Sequence, residues 1–160
     1  MQRVNNILKN KEYDELLTHI EELETDRIFC RHNMDHFLDV ARIAVIMNEE
    51  EGLGIPKDII YAAALLHDIG RGEQYEKGIE HEIASADIAP GILRKCGYSD
   101  GETGSIVEAI RQHGNEDVKD QADLTGILYR ADKASRKCYR CGVIDKCHKK
   151  REKLVMEIRY

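Results

Sequence analysis

From Asn33 onward, apolar positions recur three, four and seven residues apart, the spacing of helices that bury one face. His36 is followed by Val40, Ile43 and Met47; Ile60, Ala63 and Ala64 lead up to His67; Ile106, Ala109 and Ile110 lead up to His113; Leu124 and Leu128 lead to Asp132; and His81 precedes Ala84, Ser85 and Ile88. The pattern predicts helices over residues 2–9, 12–25, 33–52, 55–68, 80–96, 102–113 and 121–138. Thr25-Asp26 ends the second, Gly52-Leu53-Gly54 closes the third, and Pro56 suits the first turn of the fourth. Ile69-Gly70-Arg71-Gly72 reads as a turn whose two glycines supply unusual backbone angles, followed by a loop to Gly78. Residues 138–150 read as short and irregular, and 151–160 as helix or strand. No series of strands emerges, so the expected class is all-α, a single helical bundle of about six to seven helices.

The same phasing exposes an anomaly. His36, His67, His81, His113 and Asp132 fall on the apolar side of their helices, and Asp68 adjoins His67. A buried face does not accept that much polarity without partners. Any one of these histidines is explained by a hydrogen bond in the core, but the set needs a common cause. A divalent metal satisfies several imidazoles and two carboxylates at once. Adjacent helical residues point about 100° apart, so His67 and Asp68 share a site only where their helix is ending. With no thiolate among them, these six suit Fe, Mn, Ni, Co or Zn. They are too many for one tetrahedral ion and fit two divalent transition-metal ions about 3.5–4 Å apart.

Composition narrows the setting. The chain has 160 residues, enough for one domain with a core. No segment approaches the ~20 apolar residues of a membrane span, and the start of the chain lacks the apolar run of an export signal. A cytoplasmic protein without a membrane partner is therefore expected. The net charge of −6 argues against a nucleic-acid partner. The five cysteines are an odd number, which excludes a fully paired disulfide framework.

His67-Asp68-Ile69-Gly70 spells HDIG. Together with "HFLDVARIA", "AAALLHDIGR" and "ILYRADK", it resembles the HD superfamily of metal-dependent phosphohydrolases over residues of about 30–140. The resemblance implies an HD-domain helical bundle in which His36, His67, Asp68 and Asp132 hold one metal. Two further histidines, His81 and His113, are similar to those of the two-metal subgroup, with Asp68 as the bridge. That subgroup includes diadenosine polyphosphate hydrolases and HD-GYP cyclic-dinucleotide phosphodiesterases. His113-Gly114 stands where the latter have paired histidines, and no GYP element follows, so a compact nucleotide phosphohydrolase is favoured. On this reading the chain divides into N-terminal helices (1–26), an HD core (27–137) and a cysteine-containing tail (138–160).

The implied chemistry is hydrolysis of a phosphate ester or anhydride by a water whose pKa a divalent ion lowers from 15.7 to about 7. Asp68 and Arg71 are the expected catalytic residues. Arg71, just past HDIG, is the first phosphate clamp. Arg136 should share the face of Asp132, while Lys133 reads equally as substrate contact or solvated cation. His32 lies four residues before His36 and is a substrate-contact candidate, although the plainer reading, a residue near the helix cap, is preferred. His19 reads as a surface residue.

Cys138, Cys141 and Cys147 have the spacing of zinc ligands. Cys30 lies six residues before His36 and Cys138 six after Asp132. Antiparallel helices meeting at the metal would bring Cys30 and Cys138 together, giving a structural zinc on Cys30, Cys138, Cys141 and Cys147, with His148 the rival fourth ligand. Cys96 reads as packing. The expected partner is a small phosphorylated substrate, a nucleotide first; a homodimer stays open. The alternative function is a non-catalytic HD module that binds metal and nucleotide as a regulator.

Overall fold

A computed structural model describes all residues, 1–160. It contains eight α-helices: α1 Gln2–Leu8, α2 Lys11–Leu23, α3 Met34–Glu50, α4 Lys57–Leu66, α5 Arg71–Lys77, α6 His81–Lys95, α7 Asp100–Gln112 and α8 Leu124–Ala134. There are no strands, and the class is all-α. No helix is long and apolar enough to cross a membrane.

The most apolar stretch of the chain makes the centre. In α4, Ile59, Ile60 and the run from Ala62 to Leu66 are all buried, as expected of a helix that is hydrophobic nearly all round. Helices α3, α7 and α8 pack on it, α6 pairs with α7, and α1 lies across α4. Each core side chain the size of Ile60, Leu65 or Phe37, all at most 1% exposed, contributes about 1.5–3 kcal/mol by leaving water. Arg3 of α1 ties two helices together, pairing with Asp58 of α4 at 2.6 Å and with Glu102 of α7 at 2.8 Å.

Side-chain caps set the helix starts. Asn33 accepts from the His36 amide at 3.1 Å, which fixes where α3 begins and so where His36 points. Ser99 and Glu102 form a reciprocal capping box that starts α7 at Asp100, two residues before the periodic pattern begins. Asp123 caps α8 through the Gly126 amide at 3.0 Å. Ser135 ends it, its hydroxyl donating to the Asp132 carbonyl. Helix α8 is therefore shorter at both ends than the 121–138 expected.

Two expectations about the HDIG turn are corrected. The loop to Gly78 is helix α5, whose Glu, Gln and Lys residues favour helix without an apolar period to announce it. Gly78, at φ 70°, ends it. Nor does either glycine of the turn adopt a positive φ. Gly70 has an ordinary φ of −86°. What it lacks is space: a Cβ there would lie 2.4 Å from the Ser85 amide nitrogen and 2.7 Å from Ala84 Cβ. The backbone of the turn rests directly on α6, and the Gly70 amide donates to Ser85 Oγ at 2.9 Å. The tail 138–160 has three short 3₁₀ turns, at Cys138–Arg140, Ile144–Lys146 and Arg151–Lys153.

Candidate metal centre

Helix ends converge here. His67 is the residue that closes α4, His113 closes α7, His81 opens α6, and His36 lies in the first turn of α3. Asp132 projects from the last turns of α8. Because α4 ends at Leu66, His67 and Asp68 lie in the turn beyond it, and both side chains reach one centre.

Asp68 divides this centre in two. Its Oδ2 faces His67 Nε2 at 3.2 Å and His36 Nε2 at 3.6 Å. Its Oδ1 faces His81 Nε2 at 3.3 Å and His113 Nε2 at 3.5 Å. Two groups of ligand atoms result, each within 4.8 Å of one another: His36, His67 and Asp68, and Asp68, His81 and His113. Asp132 Oδ1 joins the first side, 3.6 Å from His36 Nε2 and 3.9 Å from His67 Nε2.

The imidazoles are oriented from behind. His67 Nδ1 donates to the Ala64 carbonyl at 2.7 Å, and His113 Nδ1 to the Ile110 carbonyl at 2.6 Å. His36 Nδ1 sits 3.3 Å from Ser135 Oγ. With Nδ1 protonated, each ring turns the Nε2 lone pair toward Asp68. The Nε2 atoms of His36 and His67 are buried without any hydrogen-bond partner. Orphaned buried acceptors are costly unless something binds them, and a divalent ion fits this donor set. His81 is held less firmly: its Nδ1 lies 3.0 Å from Glu82 Oε2 but out of line for a hydrogen bond.

The electrostatics agree. Burial opposes charge on Asp68 more than any one neighbour favours it, yet His67, Arg71 and His32 together hold its carboxyl well below the usual carboxylate range. Asp132 is likewise held low against burial, chiefly by Lys133 and His67. Burial pushes His81 down to about 3, against the pull of Asp68. Both carboxylates are thus ionised and His81 is neutral at pH 7, the states a metal requires.

Cations and a fifth histidine surround the centre. Arg71 Nε donates to Asp68 Oδ1 at 2.9 Å and its Nη1 to Gln74 Oε1 at 3.1 Å. Lys133 is not a free surface cation. Its Nζ touches Asp132 Oδ2 at 2.5 Å and the His113 carbonyl at 3.1 Å. Arg136 Nη2 lies 4.0 Å from Asp132 Oδ2, so it points back at the centre. His32 does stand beside the helix cap, immediately before Asn33, and it also turns toward the centre. It precedes α3 and is only 8% exposed, with Nε2 3.7 Å from Asp68 Oδ2. Its partner Glu24, at the end of α2, was missed, as was Tyr75 of α5, whose hydroxyl donates to Glu24. Nothing in the local period marks either residue, since both reach the centre through tertiary contacts. His19 is a surface residue, 3.0 Å from Glu76.

The thiols behave differently. Cys96 is buried at the end of α6 and packs in the core. Cys30 and Cys138 are neighbours, since the Cys30 thiol is raised first by burial and then by Cys138. Cysteine enters no group of three ligand atoms within 4.8 Å of one another, however. Cys30 and Cys138 do come together, but from outside the two helices. Cys30 precedes α3 by four residues, and Cys138 lies beyond the end of α8 at Ala134. His148 instead stacks edge-on against Phe29, ring centres 5.7 Å apart.

Comparison with known proteins gives the arrangement its family. Residues 33–137 match the HD domain. The chain is 46% identical over its whole length to an uncharacterised protein of Clostridium beijerinckii. It is 32% identical over 133 residues to ribonuclease Y of Mycoplasma mycoides, spanning 82% of this chain but only 29% of that enzyme. A crystal structure of a predicted HD superfamily hydrolase from an uncultured Thermotogales bacterium superposes with a TM-score of 0.58 at 29% identity, covering 76% of this chain and 66% of the other. With the match spanning most of its length and the His-Asp centre in place, the chain belongs to the HD domain family, in the hydrolase-like form of that domain.

Proposed function

We propose that the protein is a two-metal phosphohydrolase that cleaves a phosphate ester or anhydride of a small substrate, a nucleotide first. The observation that carries this reading is the division of Asp68, one oxygen to His36 and His67 and the other to His81 and His113. A single-ion site needs only one of these groups. His36, His67, Asp68 and Asp132 would hold the first ion, and Asp68, His81 and His113 the second. When bound, such ions supply an activated water and neutralise charge on phosphoryl oxygens.

The chain's own residues do the rest. Asp68 and Asp132 are kept ionised within a buried pocket, and the histidines are kept in the tautomer that leaves Nε2 free. Arg71, Lys133 and Arg136 bring three cations to the rim, where charge develops on a transferred phosphoryl group. Lys133 and Arg136 lie on the Asp132 side and Arg71 on the Asp68 side, so a phosphoryl group between them meets positive charge from two directions.

The test is a panel of phosphomonoesters, dinucleoside polyphosphates and phosphodiesters, run with Mn, Fe, Co, Ni or Zn after chelation. Phosphodiesters belong in it because ribonuclease Y, by its name, acts on RNA. Metal-dependent release of phosphate or nucleotide from one class is expected. Metal binding without turnover of any class would leave the regulatory module as the better reading.

A further inference from the structure

The buried pair Glu24–His32 has no place in the two ligand groups. Glu24 is 3% exposed and His32 8%. The Glu24 carboxylate grips His32 twice: Oε2 accepts from the His32 backbone amide at 2.7 Å and Oε1 meets His32 Nδ1 at 2.5 Å. Tyr75 donates to the same carboxylate from α5, and Arg27 lies 3.7 Å from it. Burying a carboxylate costs free energy unless it is fully paired, and an apolar side chain would close this corner of the fold at less cost. Both Glu24 and His32 precede the HD match, which starts at residue 33.

The hydrogen-bonding settles what His32 offers. An ionised carboxylate only accepts, so Nδ1 carries the proton and the neutral ring has a lone pair on Nε2. That atom makes no hydrogen bond. It faces the first-ion side of the centre, 3.7 Å from Asp68 Oδ2. The ring stands edge-on to His36 with centres 5.7 Å apart. Yet His32 forms no group of three with His36 and Asp68 within 4.8 Å. It is aimed at the centre from outside both ligand groups.

We infer that His32 is a hydrogen-bond acceptor for the attacking water, with Glu24 and Tyr75 as the positioning residues that fix its tautomer and place. This rests on the phosphohydrolase reading above. Orientation of a nucleophile is felt in turnover and not in ground-state binding. Removing the acceptor should therefore leave metal content and phosphate affinity intact.

The experiment uses p-nitrophenyl phosphate, whose alcohol part offers no hydroxyl for His32 to bind. His32→Phe, which keeps the packing, and His32→Ala should each lower kcat by about 10- to 100-fold, with KM, the inhibition constant of inorganic phosphate and the metal equivalents unchanged. Glu24→Gln should lower kcat less, and Tyr75→Phe least. A second readout needs neither metal nor turnover. In the chelated protein, ¹⁵N imidazole spectra should show His32 protonated at Nδ1, and Glu24→Gln should mix the tautomers. Unchanged kcat in His32→Phe, a loss confined to KM or metal content, or a wild-type Nε2–H tautomer would each overturn the inference. If the wild type hydrolyses no phosphate ester or anhydride of the panel, the proposed function fails and takes this inference with it.

Discussion

Arg71 Nε sits 2.9 Å from Oδ1 of Asp68, the oxygen turned toward His81 and His113, and not from the one turned toward His36 and His67. A guanidinium already committed through Nε and Nη1 still has Nη2 to offer. Arg71 thus steadies Asp68, and on the proposed two-metal reading its Nη2 would meet a phosphoryl oxygen on the side of His81 and His113. Arg71→Ala should lower kcat/KM on phosphorylated substrates by about 10- to 100-fold, the equivalent of a charged hydrogen bond of about 1.5–3 kcal/mol. Steady-state kinetics beside metal analysis checks it. Loss of an ion in this variant would reassign Arg71 from substrate to support of Asp68.

Asp68 itself should prove indispensable to both groups. Asp68→Ala removes the only side chain common to them. It also leaves the orphaned Nε2 atoms of His36 and His67 without their nearest anion. Turnover should vanish and both metal equivalents should fall, because members of such a unit are not additive. His113→Ala, by contrast, should lose the second equivalent and retain the first. Mass spectrometry of the native protein and metal analysis separate the two cases. Equal loss in both variants would argue against two distinguishable ions.

The sequence revealed the centre better than its surroundings, for a physical reason. His36, His67, His81, His113 and Asp132 betray themselves because a helix's period shows when a polar group takes an apolar position. His67 and Asp68 further require a helix end beside them, and α4 does end just before them. Glu24, Tyr75 and Ser135 touch the first ligands or their neighbours from positions with no such mark. Helix α5 has almost no apolar face to register, and the end of α8 is set by Ser135 rather than by any glycine or proline. The thiol argument extended two helices past their true ends, although Cys30 and Cys138 are neighbours.

Stability of the metal-free protein should depend on pH through His81. Burial pushes its pKa down to about 3, against about 6.5 in the unfolded chain. Between those values the unfolded state binds a proton that the folded state refuses. Stability is therefore complete above about pH 6.5 and falls as pH drops toward 3, by up to about 1.4 kcal/mol per unit for this one group. His32, also lowered by burial, adds in the same direction. Above about pH 5.5 an ordinary carboxylate is ionised in both states, so the window from about pH 5.5 to 6.5 reads the histidines. Thermal melts of chelated wild type should show the slope, and His81→Gln should flatten it. An unchanged slope would mean that His81 accepts its proton in the folded protein.

Gly70→Ala tests whether the HDIG turn needs its glycine for angle or for space. Its φ of −86° is open to any residue, so a conformational role predicts almost no penalty. The packing predicts otherwise. The new Cβ would meet the Ser85 amide nitrogen at 2.4 Å and the Ala84 carbonyl carbon at 2.8 Å, both backbone atoms that cannot swing aside. Relief requires α6 to move away from the turn, at about 1–3 kcal/mol of strain. It also breaks the 2.9 Å hydrogen bond from the Gly70 amide to Ser85 Oγ. Because α6 carries His81, the displacement should reach the second-ion group and leave His36, His67 and Asp132 in place. The expected outcome is a lower melting temperature together with weaker binding of the second metal equivalent. A variant that melts like the wild type and keeps both equivalents would show that the turn has room, and that the close approach of Gly70 to α6 does not position His81.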